Sequence, residues 1–234
     1  KTPPDGPAVD YAKTTISTAE GNVTAHVLRI NTMDSRVSVK AAHVDGTLGH
    51  TDSFSQIVQN AGEPVAVINA NFFSSGSTFK TPIGHLMTQG EFLYANSGLS
   101  SLGIGPDGRI QIGRPAVFTR LRAGEDEWSA YEINTAEQEE DSSVLYTPAY
   151  GERVSMRNDG WILLVEDGVI AEFYSVSSGA SVTIPENGYV VYMGFGYAQT
   201  PYFRIPQKGD SISMEYYLRG ADEEGFTLEG VTNI

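Results

Sequence analysis

Cysteine is absent from the 234 residues. That removes disulfides, thiolate metal sites, iron–sulfur clusters and a cysteine nucleophile together. It leaves the compartment open, because a cytosolic chain and a cysteine-avoiding secreted chain both fit. Basic residues are scarce: 15 Lys plus Arg stand against 29 Asp plus Glu, a net charge of −14. Such a surface repels phosphate backbones, so nucleic acid and anionic membranes are poor partners. No run of ~18 apolar residues occurs, so no helical membrane span is expected. The first residues lack the basic and then apolar regions of a signal peptide. Lys1-Thr-Pro-Pro-Asp-Gly-Pro7 instead reads as a linker from something upstream, such as an anchor or a cleaved signal. An ordinary frayed terminus accounts for it equally well.

What is present suits a folded protein. Hydrophobic residues make up 40% and charged residues 19%, which argues against wholesale disorder. A chain of this length buries roughly 70% of its unfolded surface and needs no staples. The length fits one large domain or two small ones. Glycine (25) and tyrosine (12) are plentiful and lysine is rare, a composition that leans towards an extracellular protein.

Most of the chain reads as short strands between turns. Val23–Ile30 and Arg36–His43 alternate apolar and polar residues around Asn31-Thr-Met-Asp-Ser35, which predicts a hairpin. Ser101–Gly105 and Arg109–Gly113 flank Pro106-Asp107-Gly108, and Trp161–Val165 and Val169–Phe173 flank Glu166-Asp167-Gly168. Both patterns predict hairpins closed by turn residues. Val182–Ile184, Gly188–Tyr192 and Ser211–Tyr217 are further strands. One helix is predicted over 53–61. Ser53 and Gln56 fit a capping box, Phe54, Ile57, Val58 and Ala61 form one apolar stripe, and Gly62 and Pro64 stop it. Val65-Ala-Val-Ile-Asn69 is an unbroken apolar run of strand length, expected as a central strand buried on both faces. Thr119–Glu127, polar and turn-rich, is the best position for a domain boundary. The fold class expected is α+β: a mostly antiparallel, curved sheet of hairpins with one clear helix.

Several motifs mislead. Gly103-x-Gly105-x-x-Gly108 matches a dinucleotide fingerprint, but a strand follows it where a phosphate cradle requires a helix N-terminus. Ser77-x-x-Lys80 matches an acyl-enzyme pattern, but its Ser/Gly-rich and Thr81-Pro82 flanks oppose the helix that this chemistry needs. His43-x-Asp45 and His50-x-Asp52 combine imidazole and carboxylate as a divalent metal site would; polar loop residues and a helix cap explain them more simply. Glu137-Gln-Glu-Glu-Asp141 reads as a solvated loop, with a cation site as the sharper alternative. His26 reads as a strand residue. The sequence names no metal and no cofactor.

The segment from Val65 to Leu93 carries the most chemistry. Its apolar run ends in Asn69-Ala-Asn71-Phe72-Phe73, followed by a Ser/Gly-rich loop and Pro82-Ile-Gly84-His85. Asparagine both donates and accepts, which suits sugar hydroxyls, and an aromatic ring stacks on a sugar face or fills core. The pattern favours core for one phenylalanine and leaves the other open.

Ala66–Phe73 resembles the Asn-x-x-Phe-Phe signature of the phosphodiester glycosidase family, that of the lysosomal uncovering enzyme and its secreted bacterial relatives. Pro82-Ile-Gly84 with Gln89-Gly90 resembles the family's Pro-x-Gly loop and the turn after it, and Gly103–Arg109 its Gly-x-x-x-Asp-Gly-Arg hairpin. Tyr146–Gly151, Ile184–Tyr189 and Lys208-Gly-Asp210 resemble the insertion of bacterial members. The resemblance runs over about 20–218, and the order of the pieces makes it specific. It implies a lead-in over 1–19, a glycosidase-like domain over 20–234 and a β-rich insertion around 128–218. The family's later Gly-Gly-rich, Arg-Thr-Ala-type and Asp-Gly-Gly-Gly-Ser segments have no counterpart here. The chain therefore reads as the N-terminal portion of such a domain, paired with a C-terminal half or a second chain. Only Asn69, Asn71, Phe72, Phe73 and Gly84 carry over, as substrate-pocket residues; His85 is their neighbour.

The implied activity is hydrolysis of a sugar phosphodiester or a related cell-surface glycan, outside the cell or at its surface. Such chemistry uses a carboxylate at the anomeric carbon and positive charge or donors at the leaving phosphate. Lys80, His85 and Arg109 are the cations nearest the signature in sequence. Among the 29 acids no spacing singles out a catalytic pair. The alternatives are a non-catalytic carbohydrate- or cell-wall-binding module, for which Tyr189, Tyr192, Phe195, Tyr197 and Tyr202 would serve, and a purely structural segment.

Overall fold

A computed structural model describes residues 6–44, 46–62, 64–76, 78–88, 90–96, 99–105, 108–200, 203–221 and 227–233, with 220–221 and 227–233 described by backbone alone. Two units form: Lys1–Lys40 with Leu102–Ile112, and Ala41–Ser101 with Gly113–Ile234. The linker-like Lys1–Asp5 lies outside the described residues.

In the first unit β1 (Val9–Thr18) and β2 (Gly21–Ile30) pair antiparallel, from Val9 opposite Ile30 to Thr18 opposite Gly21. Val23–Ile30 thus pairs upstream, and Arg36–His43 forms no strand, against the hairpin expected between them. Two successive turns redirect the chain instead of reversing it. Asp34 N–H donates to Asn31 O and Val37 N–H to Asp34 O. The Arg36 guanidinium grips the Asp34 carboxylate, Nε at 2.9 Å and Nη2 at 2.6 Å, and these bonds hold the Asp34 pKa down at about 2. His26 is a strand residue whose Nδ1 lies 2.6 Å from the Tyr11 hydroxyl.

The second unit begins with the expected helix, α1 (Phe54–Asn60). Ser53 caps it by accepting from Gln56 N–H at 3.2 Å. The Gln56 side chain does not reach back; its Nε2 donates forward to Asn60 Oδ1 at 3.0 Å. No residue of α1 is fully buried; Ile57 and Val58 are half-buried while Phe54 is 46% exposed, so the apolar stripe is only partly covered by the described residues. Val65–Asn69 is not the buried central strand expected. It forms no ladder, Val65 is 90% exposed and Ile68 83% exposed. An apolar run shows that a segment seeks cover, but not where its hydrogen-bonding neighbours come from. The hairpin of β3 (Leu86–Thr88) and β4 (Glu91–Tyr94) follows.

β5 (Ser101–Ile104) and β6 (Ile110–Gly113) form the predicted hairpin. Gly105 N–H donates to Arg109 O and Gly108 N–H to Gly105 O. Pro106 and Asp107 lie outside the described residues. Gly108 has φ +81°, and a Cβ there would run into the Thr32 carbonyl. The glycines of the false dinucleotide fingerprint thus shape a strand-to-strand reversal.

The core belongs to the second unit. β7 (Ala116–Ala123) and β8 (Asp126–Ala130) form a hairpin through the candidate boundary segment 119–127, with Thr119 and Leu121 fully buried. Next come β9 (Glu132–Ile133), β10 (Ser143–Tyr146), β11 (Arg153–Ser155), β12 (Gly160–Glu166), β13 (Val169–Val176), β14 (Ser181–Thr183) and β15 (Gly188–Gly194). The short α2 (Phe195–Ala198), β16 (Ser213–Ala221) and β17 (Thr227–Asn233) complete the series. A five-stranded sheet of order β13-β12-β15-β10-β9 is antiparallel except for its β10–β9 edge. A second sheet runs β17-β16-β7-β8.

The pleat sends alternate residues of the larger sheet into two cores. Leu145, Leu163, Val191 and Met193 join Leu121, Trp128 and Tyr216 of the second sheet. Val144, Tyr146, Ile162, Val190 and Tyr192 pack against Val154 and Val182 of the β11–β14 pair. The strands buried on both faces are therefore β10 and β15. Each Leu or Ile fully buried here contributes ~1.5–3 kcal/mol. Between β12 and β13, Asp167 (φ 50°) and Gly168 (φ 72°) are both left-handed, as a two-residue I′ turn requires. The architecture is α+β: antiparallel hairpins with one substantial helix. Among the described residues no helix is long and apolar enough to cross a membrane.

Candidate functional site

The Asn69–Phe73 signature meets the Pro82–His85 loop across a short backbone ribbon. Ile83 N–H donates to Phe72 O, Ser74 N–H to Thr81 O, and Phe73 and Pro82 form a bridge. Asn71 Nδ2 donates to the His85 carbonyl at 3.3 Å, which fixes its amide beside the loop. Gly84 is buried with φ +93°; the space beside it is ordinary, so the backbone conformation is what calls for glycine.

A cleft of about 420 Å³ opens here. Asn71 and Phe72 line one side, and Ile83, Leu99, Ser100 and Arg114 complete it. Arg114 Nε donates to Ser100 Oγ at 3.3 Å. Its remaining guanidinium N–H groups have no acceptor among the described residues. The cleft therefore offers an amide, a hydroxyl, a forked cation and an exposed aromatic face. No carboxylate lines it among the described residues.

The sequence-predicted residues divide. Asn71 and Phe72 reach the cleft, and Phe72 is 81% exposed. Phe73 is half-exposed, so neither phenylalanine fills core, against the expectation for one of them. Asn69 is exposed and does not line the cleft. His85 turns inward: its Nε2–H donates to Pro115 O at 3.0 Å and its ring meets Phe92 edge-on. Burial pushes its pKa below the usual imidazole value, so it is neutral at pH 7 and supplies no clamp charge. Lys80 Nζ donates to Ser75 O, and Arg109 belongs to the first unit. The cation in the cleft is Arg114, which sequence reasoning missed. The one signal for it is its position between a strand end and Pro115, which holds it extended.

Other motifs resolve plainly. Among the described residues no group of three His, Cys, Asp or Glu is placed to hold a metal ion. Asp52 Oδ1 accepts from Ser53 N–H at the start of α1. Asp45, Ser77, Gln89 and Tyr202 lie outside the described residues. Tyr189 and Tyr192 are core, and Phe195 and Tyr197 lie on α2. Glu137–Asp141 is a loop, closed by Ser142 Oγ accepting from Glu139 N–H. Beside it Glu132 is raised to about 7, first by burial and then by Glu137 and Glu139.

No family model matches this sequence, and no curated protein matches it. The fold is shared with two solved structures. One is a hypothetical protein from Synechocystis, 16% identical, with TM-score 0.72 over 90% of this chain and 39% of that one. The other, from Burkholderia pseudomallei, is called a "putative exported protein"; it is 16% identical, with TM-score 0.59 over 89% of this chain and 50% of that one. The chain thus spans half or less of the length of each.

Proposed function

We propose that the second unit binds a sugar phosphodiester or a related cell-surface glycan through the Asn71–Phe72–Arg114 cleft. It forms the substrate-recognition part of a phosphodiester glycosidase-like hydrolase acting at or outside the cell surface. The observation that supports this most is the joining of Arg114 to two residues of the signature in one cleft. A guanidinium fork suits a phosphate, an amide suits sugar hydroxyls, and the open Phe72 face suits a sugar ring. The exported status named for the Burkholderia neighbour supports the location.

Cleavage at an anomeric carbon needs carboxylates, and the cleft is lined by none among the described residues. In this reading, as the family resemblance implies, a C-terminal half or a second chain supplies the catalytic acids, and the exposed Val65 and Ile68 are the surface it covers. A second reading is a carbohydrate-binding module without turnover, for which the exposed Phe72 ring and the Asn71 amide in the cleft suffice. Calorimetric titration with the methyl phosphodiester of N-acetylglucosamine tests recognition. Binding that Arg114→Ala weakens about 10–100-fold, the worth of one charged hydrogen bond or two, is expected. Binding indifferent to Arg114→Ala would overturn the assignment. Turnover by the 234-residue chain alone would overturn the need for a partner.

A further inference from the structure

A second cleft, about 130 Å³, lies along the same ribbon. Phe72 and Ile83 line the first cleft; Ser74 and Thr81, the next pair on the ribbon, line the second. Two residues of extended backbone separate the clefts, roughly 7 Å.

This second cleft is built from fixed parts. Phe79 is its aromatic wall, stacked on Tyr150 at 4.6 Å with Tyr146 edge-on behind. Gly49, φ +91°, leaves room for that ring, since a Cβ there would sit 2.5 Å from it. Tyr94 and Thr135 are buried, and Asn96 Nδ2 donates to both hydroxyls, at 3.0 and 3.3 Å. At the rim stand Glu137 and Arg157, both exposed. Their backbones are pinned, Glu137 N–H to Thr135 Oγ1 and Arg157 N–H to Gln138 Oε1. Their head groups form no hydrogen bond or ion pair with any described residue.

A guanidinium only donates and a carboxylate only accepts, whereas a hydroxyl does both. A molecule with several hydroxyls and one apolar face satisfies the two rim groups together and packs against the Phe79 wall. The acids that raise Glu132 next door disfavour an anion here. We infer that this cleft is a subsite for a neutral pyranose, one unit along a glycan from the sugar whose phosphate meets Arg114. The inference rests on the phosphodiester reading of the first cleft and makes the substrate an oligosaccharide.

Chitotetraose, a neutral N-acetylglucosamine tetramer, is the probe, titrated into the 234-residue chain. Wild type and Arg114→Ala are expected to bind it alike. Glu137→Ala and Arg157→Ala, changes at exposed head groups that spare the fold, are each expected to weaken it by about tenfold or more. Phe79→Ala, with its fold checked by circular dichroism, should weaken it as well. No binding by wild type, or binding that both rim variants leave unchanged, overturns the subsite. Failure of the first cleft shows separately, as methyl phosphodiester binding that Arg114→Ala does not affect.

Discussion

Asn134 holds more of the second unit together than its size suggests. It is fully buried with φ 54°, a conformation asparagine tolerates better than most residues. Its Nδ2 donates to Leu93 O and Thr147 Oγ1, and its Oδ1 accepts from Thr147 N–H, each at 2.9 Å. Asn134→Ala strands those partners and keeps the strained backbone, so a loss of about 3 kcal/mol is expected from urea unfolding. Glu132 acts in the opposite sense. Its folded pKa of about 7 lies above its ordinary 4.5, so between those values the folded state holds a proton that the unfolded state has released. Glu132 therefore adds full stability below about pH 4.5 and loses it as pH rises through 7. Glu132→Gln should flatten that decline and raise the melting temperature most at pH 8; an unchanged pH profile would remove Glu132 as its source. Arg114 was illegible in the sequence for a spatial reason: Asn71 lies 43 positions upstream, and nothing local announces their meeting.

The elements that could be read were those whose partner and turn lie next to one another. The β12–β13 hairpin has alternating strands and a Asp167-Gly168 turn, so period and turn chemistry agree. Gly168→Ala should cost about 1–2 kcal/mol through its left-handed backbone. A smaller loss in thermal unfolding would mean that the turn relaxes to another type. The helix was legible by its Ser53 cap and its Gly62 stop. Partner choice was not legible. Val23–Ile30 has strand neighbours available on both sides, and its pattern does not say that β1 wins. Val65–Asn69 and β15 are equally apolar, yet only β15 has strands on both edges.

At the scale of the molecule, the second unit is unevenly finished. Its five-stranded sheet is packed on both faces, while α1 and 64–72 lie open. Backbone amides of Val65–Ile68 should exchange with deuterium near the unprotected rate, and those of Val191–Met193 orders of magnitude more slowly. Strong protection at Val65–Ile68 would contradict their unpaired state. The β12–β13 hairpin was legible because a two-residue turn joins its strands; the cleft was not, because it depends on a ribbon joining 72–74 to 81–83. Recognition by the first cleft is tested most directly by a map of amide shifts in the 234-residue chain on addition of the methyl phosphodiester of N-acetylglucosamine. Shifts concentrated at Asn71, Phe72, Ser100 and Arg114 are expected. Shifts confined to other surfaces, or none at saturating ligand, would contradict that recognition.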